Sequence, residues 1–133
     1  ADHRPKEDTM YAPALETYRR QRVETASPIQ LVRMLYDTML DCVRDAKAGL
    51  EGHDYQMAHN NLLHAQKVVE ELDRAVDVDK GGDIGHNLKR LYDFLSQRLT
   101  YVNITKSIPA LEETEAVMLE MYEMWSVVPG WEL

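Results

Sequence analysis

Apolar side chains recur at alternating steps of three and four residues through four segments of the chain, a spacing typical of amphipathic helices. The four apolar stripes run from Val32 to Gly49, from Tyr55 to Val76, from Ile84 to Val102 and from Leu111 to Val128. No segment alternates between apolar and polar residues as a half-buried strand would. The pattern therefore predicts an all-α chain with four main helices.

Residues that start and stop helices lie at the ends of these stripes. Ser27 before Pro28 predicts the first helix start, because a serine hydroxyl caps free N–H groups and proline fits the first turn. Gly49 and Gly52 close that segment, and Asp54 can cap the second helix.

The later boundaries follow the same logic. The Gly81-Gly82 pair is interpreted as the connector before the third helix, and Ser107 with Pro109 introduces the fourth. Pro129-Gly130 is predicted to end the fourth helix.

Short connectors force neighbouring helices to run antiparallel, which predicts an up-down-up-down four-helix bundle. Residues 10–128 form its single domain, and their first part, 10–24, is expected to be an additional short helical or extended segment. Residues 1–9 are interpreted as a disordered tail. Residues 129–133 form a C-terminal tail with no predicted role, and Trp131 in it has no assigned function.

Several large apolar residues remain after each helix has been given one core stripe. The first, third and fourth helices carry three of them each: Leu31, Tyr36, Val43, Tyr92, Phe94, Tyr101, Val117, Tyr122 and Met124. One interpretation is that they widen the core, as bundle helices often do. The other is that some of them line grooves for amphipathic helices of a partner. Periodicity alone leaves both interpretations open.

The composition and net charge of the chain limit the kinds of partner that it is expected to bind. A chain of 133 residues with 44% hydrophobic content can bury one core. A formal net charge of −8 argues against binding to nucleic acid or to an anionic membrane surface. No apolar run is long enough to span a bilayer, so membrane insertion is not expected. The single cysteine, Cys42, fits a reducing compartment, and the predicted location is the cytoplasm.

Residues capable of chemistry do not form a catalytic or metal-binding pattern. His59 and His64 are spaced so that they point to different sides of a helix, and no four-ligand set is evident. Cys42 sits at a core position without an activating base, and the Gly81-Gly82 pair lacks the spacing of a phosphate loop. We therefore expect no enzyme activity, no cofactor, no metal and no small-molecule substrate.

A series of short motifs resembles one known family. Thr25-Ala26-Ser27-Pro28 is followed by Met34-Leu35-Tyr36-Asp37, and later by Lys80-Gly81-Gly82-Asp83-Ile84 and Leu91-Tyr92-Asp93. Trp125 lies near the end of the fourth helix. In order and spacing, these motifs strongly resemble the flagellar secretion chaperone family FliS.

The resemblance implies a cytosolic helical bundle that binds the C-terminal region of flagellin and prevents its premature polymerisation. It also implies delivery of flagellin to a component of the export gate of the flagellar type III apparatus. By the same resemblance, Leu15 and Tyr18 are expected to form a displaceable plug over the binding surface. The candidate groove residues are Leu31, Tyr36, Tyr92, Phe94 and Asn103.

Two other functions are compatible with the same pattern. A helical-bundle chaperone or adaptor could serve a different secreted partner, and the identity of the bound partner separates this alternative from the first. A bundle enzyme or metalloprotein is much less favoured than either chaperone function, because the residues that it would need are not evident.

Overall fold

The computed structural model describes residues 27–132, so Leu15 and Tyr18 lie outside the described residues. Four helices make up most of this range: α1 (Pro28–Glu51), α2 (Tyr55–Arg74), α3 (Val78–Thr105) and α4 (Ile108–Trp125). No strand occurs between residues 27 and 132. The predicted all-α class with four helices is confirmed.

The helices form a closed ring in which each packs against the one before and the one after it, and α4 returns to α1. Side-chain pairs fix their directions. Lys47, near the end of α1, lies 2.9 Å from Glu112, near the start of α4. Lys89, early in α3, reaches Asp73 near the end of α2 at 3.2 Å. Neighbouring helices are therefore antiparallel, as predicted.

Side-chain caps fix three helix starts where the sequence predicts them. The Ser27 hydroxyl accepts from the backbone N–H of Gln30, and the Gln30 side chain accepts in return from the Ser27 N–H. Asp54 caps α2 by accepting from the Met57 N–H, and the Ser107 hydroxyl accepts from the Ala110 N–H at the start of α4. Each cap satisfies a donor that the first helical turn leaves free.

The core lies along the axis of the ring and draws on all four helices. Its fully buried side chains include Met39, Leu62, Leu99 and Met118. Cys42 is also buried, and burial raises the pKa of its thiol to about 11, with smaller contributions from nearby aspartates. A neutral buried thiol is a structural residue rather than a nucleophile.

Two helix boundaries in the structure differ from the predicted ones. Helix α3 begins at Val78 because Asp77 caps it. The Gly81-Gly82 pair, predicted to be the connector before this helix, lies inside its first turns. Gly82 breaks the helix there with φ 58° and ψ −133°, a conformation that favours glycine. Helix α4 ends at Trp125, so Val128 belongs to the segment that follows.

Two residues of the predicted core stripes are exposed. Ile84 is 73% exposed and Tyr55 is 48% exposed. Tyr55 is the first residue of α2, and Ile84 follows two residues after the break at Gly82. Periodicity identifies the face of a helix but not how far along it the core extends.

Candidate partner-binding surfaces

Tyr36 and Tyr92 form a buried hydrogen-bonded pair between α1 and α3. Their hydroxyl oxygens are 2.9 Å apart, and the Trp125 Nε1–H donates to the Tyr36 hydroxyl at 3.1 Å. Both rings are almost completely buried, at 0% and 2% exposure. In this conformation both side chains lie in the core, although Tyr92 also lines the apolar cleft described below, and their role in binding a partner remains a prediction.

The burial of these hydroxyl groups is possible because they bond to one another. Desolvation is the main cause that raises the pKa of both Tyr36 and Tyr92, so both remain neutral at physiological pH. A neutral hydroxyl can donate one bond and accept others. The three side chains thus form a chain of hydrogen bonds that links α1, α3 and α4.

An apolar cleft of about 200 Å³ opens beside this network. Its walls come from the start of α1, the end of α2, the first turns of α3 and the end of α4. They include Val32, Leu72, Val76, Leu88 and Trp125. The exposed Ile84 also lines this cleft. The cleft is large enough for one bulky apolar side chain.

A second apolar surface, the helix 3 row, consists of Phe94 and Tyr101. They lie about two helical turns apart on one face of α3, with exposures of 44% and 48%. Between them, Arg98 places its guanidinium 4.8 Å from the centre of the Tyr101 ring and reaches Glu113 of α4 at 3.5 Å. The row therefore borders α4, which exposes Met124.

The remaining groove candidates lie elsewhere. Leu31 is half-buried on α1. Asn103 is half-buried, and its side-chain oxygen lies 3.1 Å from His59 Nδ1 of α2 and accepts from Lys106 Nζ. Asn103 thus faces α2, whereas Phe94 borders α4. The structure does not bring the predicted residues into one groove, and their role in binding a partner remains a prediction.

The segment after α4 supplies a feature that the sequence did not predict. Residues 126–132, called here the C-terminal strap, contain one buried side chain, Trp131, which is 3% exposed. Its ring stacks on Trp125 with centres 6.2 Å apart and meets the edges of Tyr122 and Tyr36 at 5.2 and 6.1 Å. We call the space walled by these three partner rings the aromatic pocket.

Side chains of α1 hold the strap by its backbone. Gln30 Nε2 donates to the carbonyl of Glu132 at 3.2 Å, and Arg33 Nη1 donates to the carbonyl of Trp131 at 3.2 Å. Gly130 has φ +88° and lies so close to Ile29 that an added Cβ would be 3.0 Å from that side chain. The only signal for this arrangement in the sequence is a large apolar ring beyond a proline-glycine pair.

The residues from 27 to 132 contain no group of three or more histidine, cysteine or acidic side chains that could hold a metal. None of the helices in this range is long and apolar enough to cross a membrane. The candidate surfaces for binding a partner are the cleft, the helix 3 row and the strap.

Comparison with known proteins identifies the family. The model of the family described as "Flagellar protein FliS" matches residues 10–130. The flagellar secretion chaperone FliS of Salmonella typhimurium is 31% identical over 122 residues, which cover 88% of this chain and 90% of the relative. FliS of Bacillus subtilis is 28% identical over 81% of this chain and 80% of its own length.

A solved structure described as "Crystal structure of flagellar chaperone from bacteria" has the same fold. The TM-score is 0.71 at 19% identity, with 87% of this chain and 94% of the other covered. The likeness in fold agrees with the match in sequence. The chain therefore belongs to the FliS family of flagellar secretion chaperones, whose members are chaperones and not enzymes.

Proposed function

We propose that this chaperone binds the C-terminal region of flagellin in the cytosol, prevents its premature polymerisation and assists its delivery to the flagellar type III export apparatus. The observation that carries the proposal is the apolar surface left open on a bundle whose core is already complete. Phe94, Tyr101 and the cleft beside Trp125 are not needed to close the core. They are available for the apolar face of a partner helix.

The chemistry of these surfaces suits a segment that folds when it binds. An amphipathic helix docks through apolar anchors spaced one or two turns apart on one face, which it places in an apolar groove. Phe94 and Tyr101 present such a row on α3, and Arg98 and Glu113 beside it offer polar partners. Covering the apolar face of a flagellin segment would hide the surface through which subunits associate.

Within this proposal, Leu15 and Tyr18 act as a plug that covers part of the binding surface until flagellin displaces it. This part rests on the family resemblance, because both residues lie outside residues 27–132. Replacing both residues by alanine would then tighten binding, since less of the binding energy is spent on displacement.

Calorimetric titration with the C-terminal segment of flagellin from the same organism tests the central claim. We expect saturable one-to-one binding with a negative change in heat capacity, because apolar surface is buried. Flagellin truncated before that segment is the control and should not bind. A folded chaperone that fails to bind the segment would overturn the flagellin assignment and point to another secreted partner.

Phe94→Asp tests the helix 3 row. Phe94 is 44% exposed, so the bundle should still fold, and we expect binding at least about ten-fold weaker through loss of an aromatic anchor. Leu63→Asp is the matched control, because Leu63 is 40% exposed on α2 and lies outside the row. Equal effects of both substitutions would remove Phe94 from the site. Tyr92 is unsuitable for this test, because a charge in the core would unfold the bundle.

A further inference from the structure

The C-terminal strap occupies a pocket that is complete without it. The floor of the aromatic pocket is held by the hydrogen bonds from Trp125 to Tyr36 and between Tyr36 and Tyr92, none of which involves the strap. The three residues that form these bonds, Tyr36, Tyr92 and Trp125, all lie on helices. Departure of Trp131 would therefore leave a formed apolar site rather than a collapsed one.

The attachment of the strap is concentrated in one residue. Trp131 is its only buried side chain, Val128 is half-buried and the other residues from 126 to 132 are exposed. The strap contacts α1 through the Trp131 ring, through two hydrogen bonds from side chains to carbonyls and through the close approach of Gly130 to Ile29. Release of the strap breaks no hydrogen bond within a helix, so it requires only local opening.

The two side chains that donate hydrogen bonds to the strap could donate them to other peptides. Gln30 and Arg33 bind backbone carbonyls, which every peptide segment carries. Arg33 also has a buried Nε with no hydrogen-bond partner, and the nearest carboxylate oxygen, from Asp37, is 3.7 Å away. The site therefore recognises a short segment with one large aromatic side chain and free backbone carbonyls, and the strap leaves the Arg33 Nε without a hydrogen bond.

The aromatic pocket and the cleft share one wall, the ring of Trp125. Trp125 lines the cleft, and its ring also stacks against Trp131. A chain lying in the cleft would reach the aromatic pocket by passing this one ring.

From these observations we propose that the strap is a displaceable occupant of a second peptide-binding site. A partner segment that carries an aromatic side chain replaces Trp131 against Tyr36, Tyr122 and Trp125. That the partner is the exported cargo rests on the proposed function; the existence of the site does not.

The site itself is tested without cargo. The chain contains two tryptophans, so in the isotope-labelled full-length Trp131→Ala variant Trp125 supplies the only labelled indole N–H, and an added unlabelled peptide contributes none. We add the synthetic peptide Ser126–Leu133 and follow this N–H by NMR. The expected result is a saturable shift of the Trp125 signal, with no shift for the same peptide carrying Trp131→Ala. Absence of a shift with the intact peptide would overturn the site.

The displacement is tested with the C-terminal segment of flagellin. We expect Trp131→Ala to bind it at least about five-fold more tightly than the unaltered chain, because no occupant competes. Val127→Ala is the matched control in the same strap, since Val127 is 82% exposed, and should bind as the unaltered chain does. Equal or weaker binding by Trp131→Ala would overturn displacement by cargo. Failure of every variant to bind would overturn both that role and the flagellin assignment, and the peptide experiment would still decide the site.

Discussion

The two ends of the bundle are built differently. At the turn end, where α1 leads to α2 and α3 leads to α4, backbone bonds close the connections: the Asp54 N–H donates to the Gly49 carbonyl at 2.7 Å, and that of Lys106 to Val102 at 2.6 Å. At the strap end lie the cleft, the break at Gly82 and the Trp131 contacts. The tightly closed connections and the open cleft with its strap thus lie at opposite ends of the same helices.

The largest effect is expected at the turn end. A Cβ added at Gly49 would lie 3.0 Å from the Ala58 nitrogen and the Asp54 oxygen, which are backbone atoms and cannot move aside. We expect Gly49→Ala to lower the free energy of unfolding by about 3 kcal/mol, measured by urea denaturation.

Gly81→Ala is the control at the strap end. A Cβ there meets nothing within 4 Å. The substitution should raise the free energy of unfolding by about 0.5 kcal/mol, because alanine favours helix over glycine. Similar losses from both substitutions would show that the ends do not differ in packing.

A smaller effect is expected from the hydrogen-bond network at the strap end. Tyr36→Phe removes the oxygen that joins Trp125 to Tyr92 and should cost about 2 kcal/mol in urea denaturation, since a buried hydroxyl loses its partner. Tyr101→Phe, at an exposed ring, should cost almost nothing. The double substitution of Tyr36 and Tyr92 to Phe should cost less than the sum of the single ones, and additive losses would contradict a shared network.

The smallest effect compares one helix cap from each end. Asp54→Ala removes the cap of α2, and we expect a loss of about 1 kcal/mol in the same unfolding measurement. Asp77→Ala removes the cap of α3, but the helix it starts is interrupted at Gly82, so the loss should be about a third as large. A larger loss at Asp77 would mean that the first turn of α3 contributes more to the bundle than its geometry indicates.

Helix caps and apolar faces could be predicted from the sequence because they depend on residues close together in the chain. Ser27, Asp54 and Ser107 were identified in this way, and the pairing of antiparallel neighbours followed from the short connectors. The motifs also indicated the family, and the match over residues 10–130 confirms it.

The division between core and surface could not be predicted in the same way. Tyr36 and Tyr92 are buried because two hydroxyl groups 56 positions apart in sequence satisfy each other, and helical periodicity contains no information on that pairing. Ile84 is exposed although it continues the core stripe of α3. The aromatic pocket was missed for the same reason, since Trp131 contacts residues of α1 that lie far from it in sequence.

The strap also has a consequence for the order in which the protein folds. Its two hydrogen bonds to α1 join residues 98 and 102 positions apart, whereas α1 and α2, α2 and α3, and α3 and α4 pair with neighbours along the chain. Contacts between neighbours form early, and contacts between distant residues form late. We therefore expect the strap to dock late in folding, after a stage in which neighbouring helices have paired and the aromatic pocket is still open.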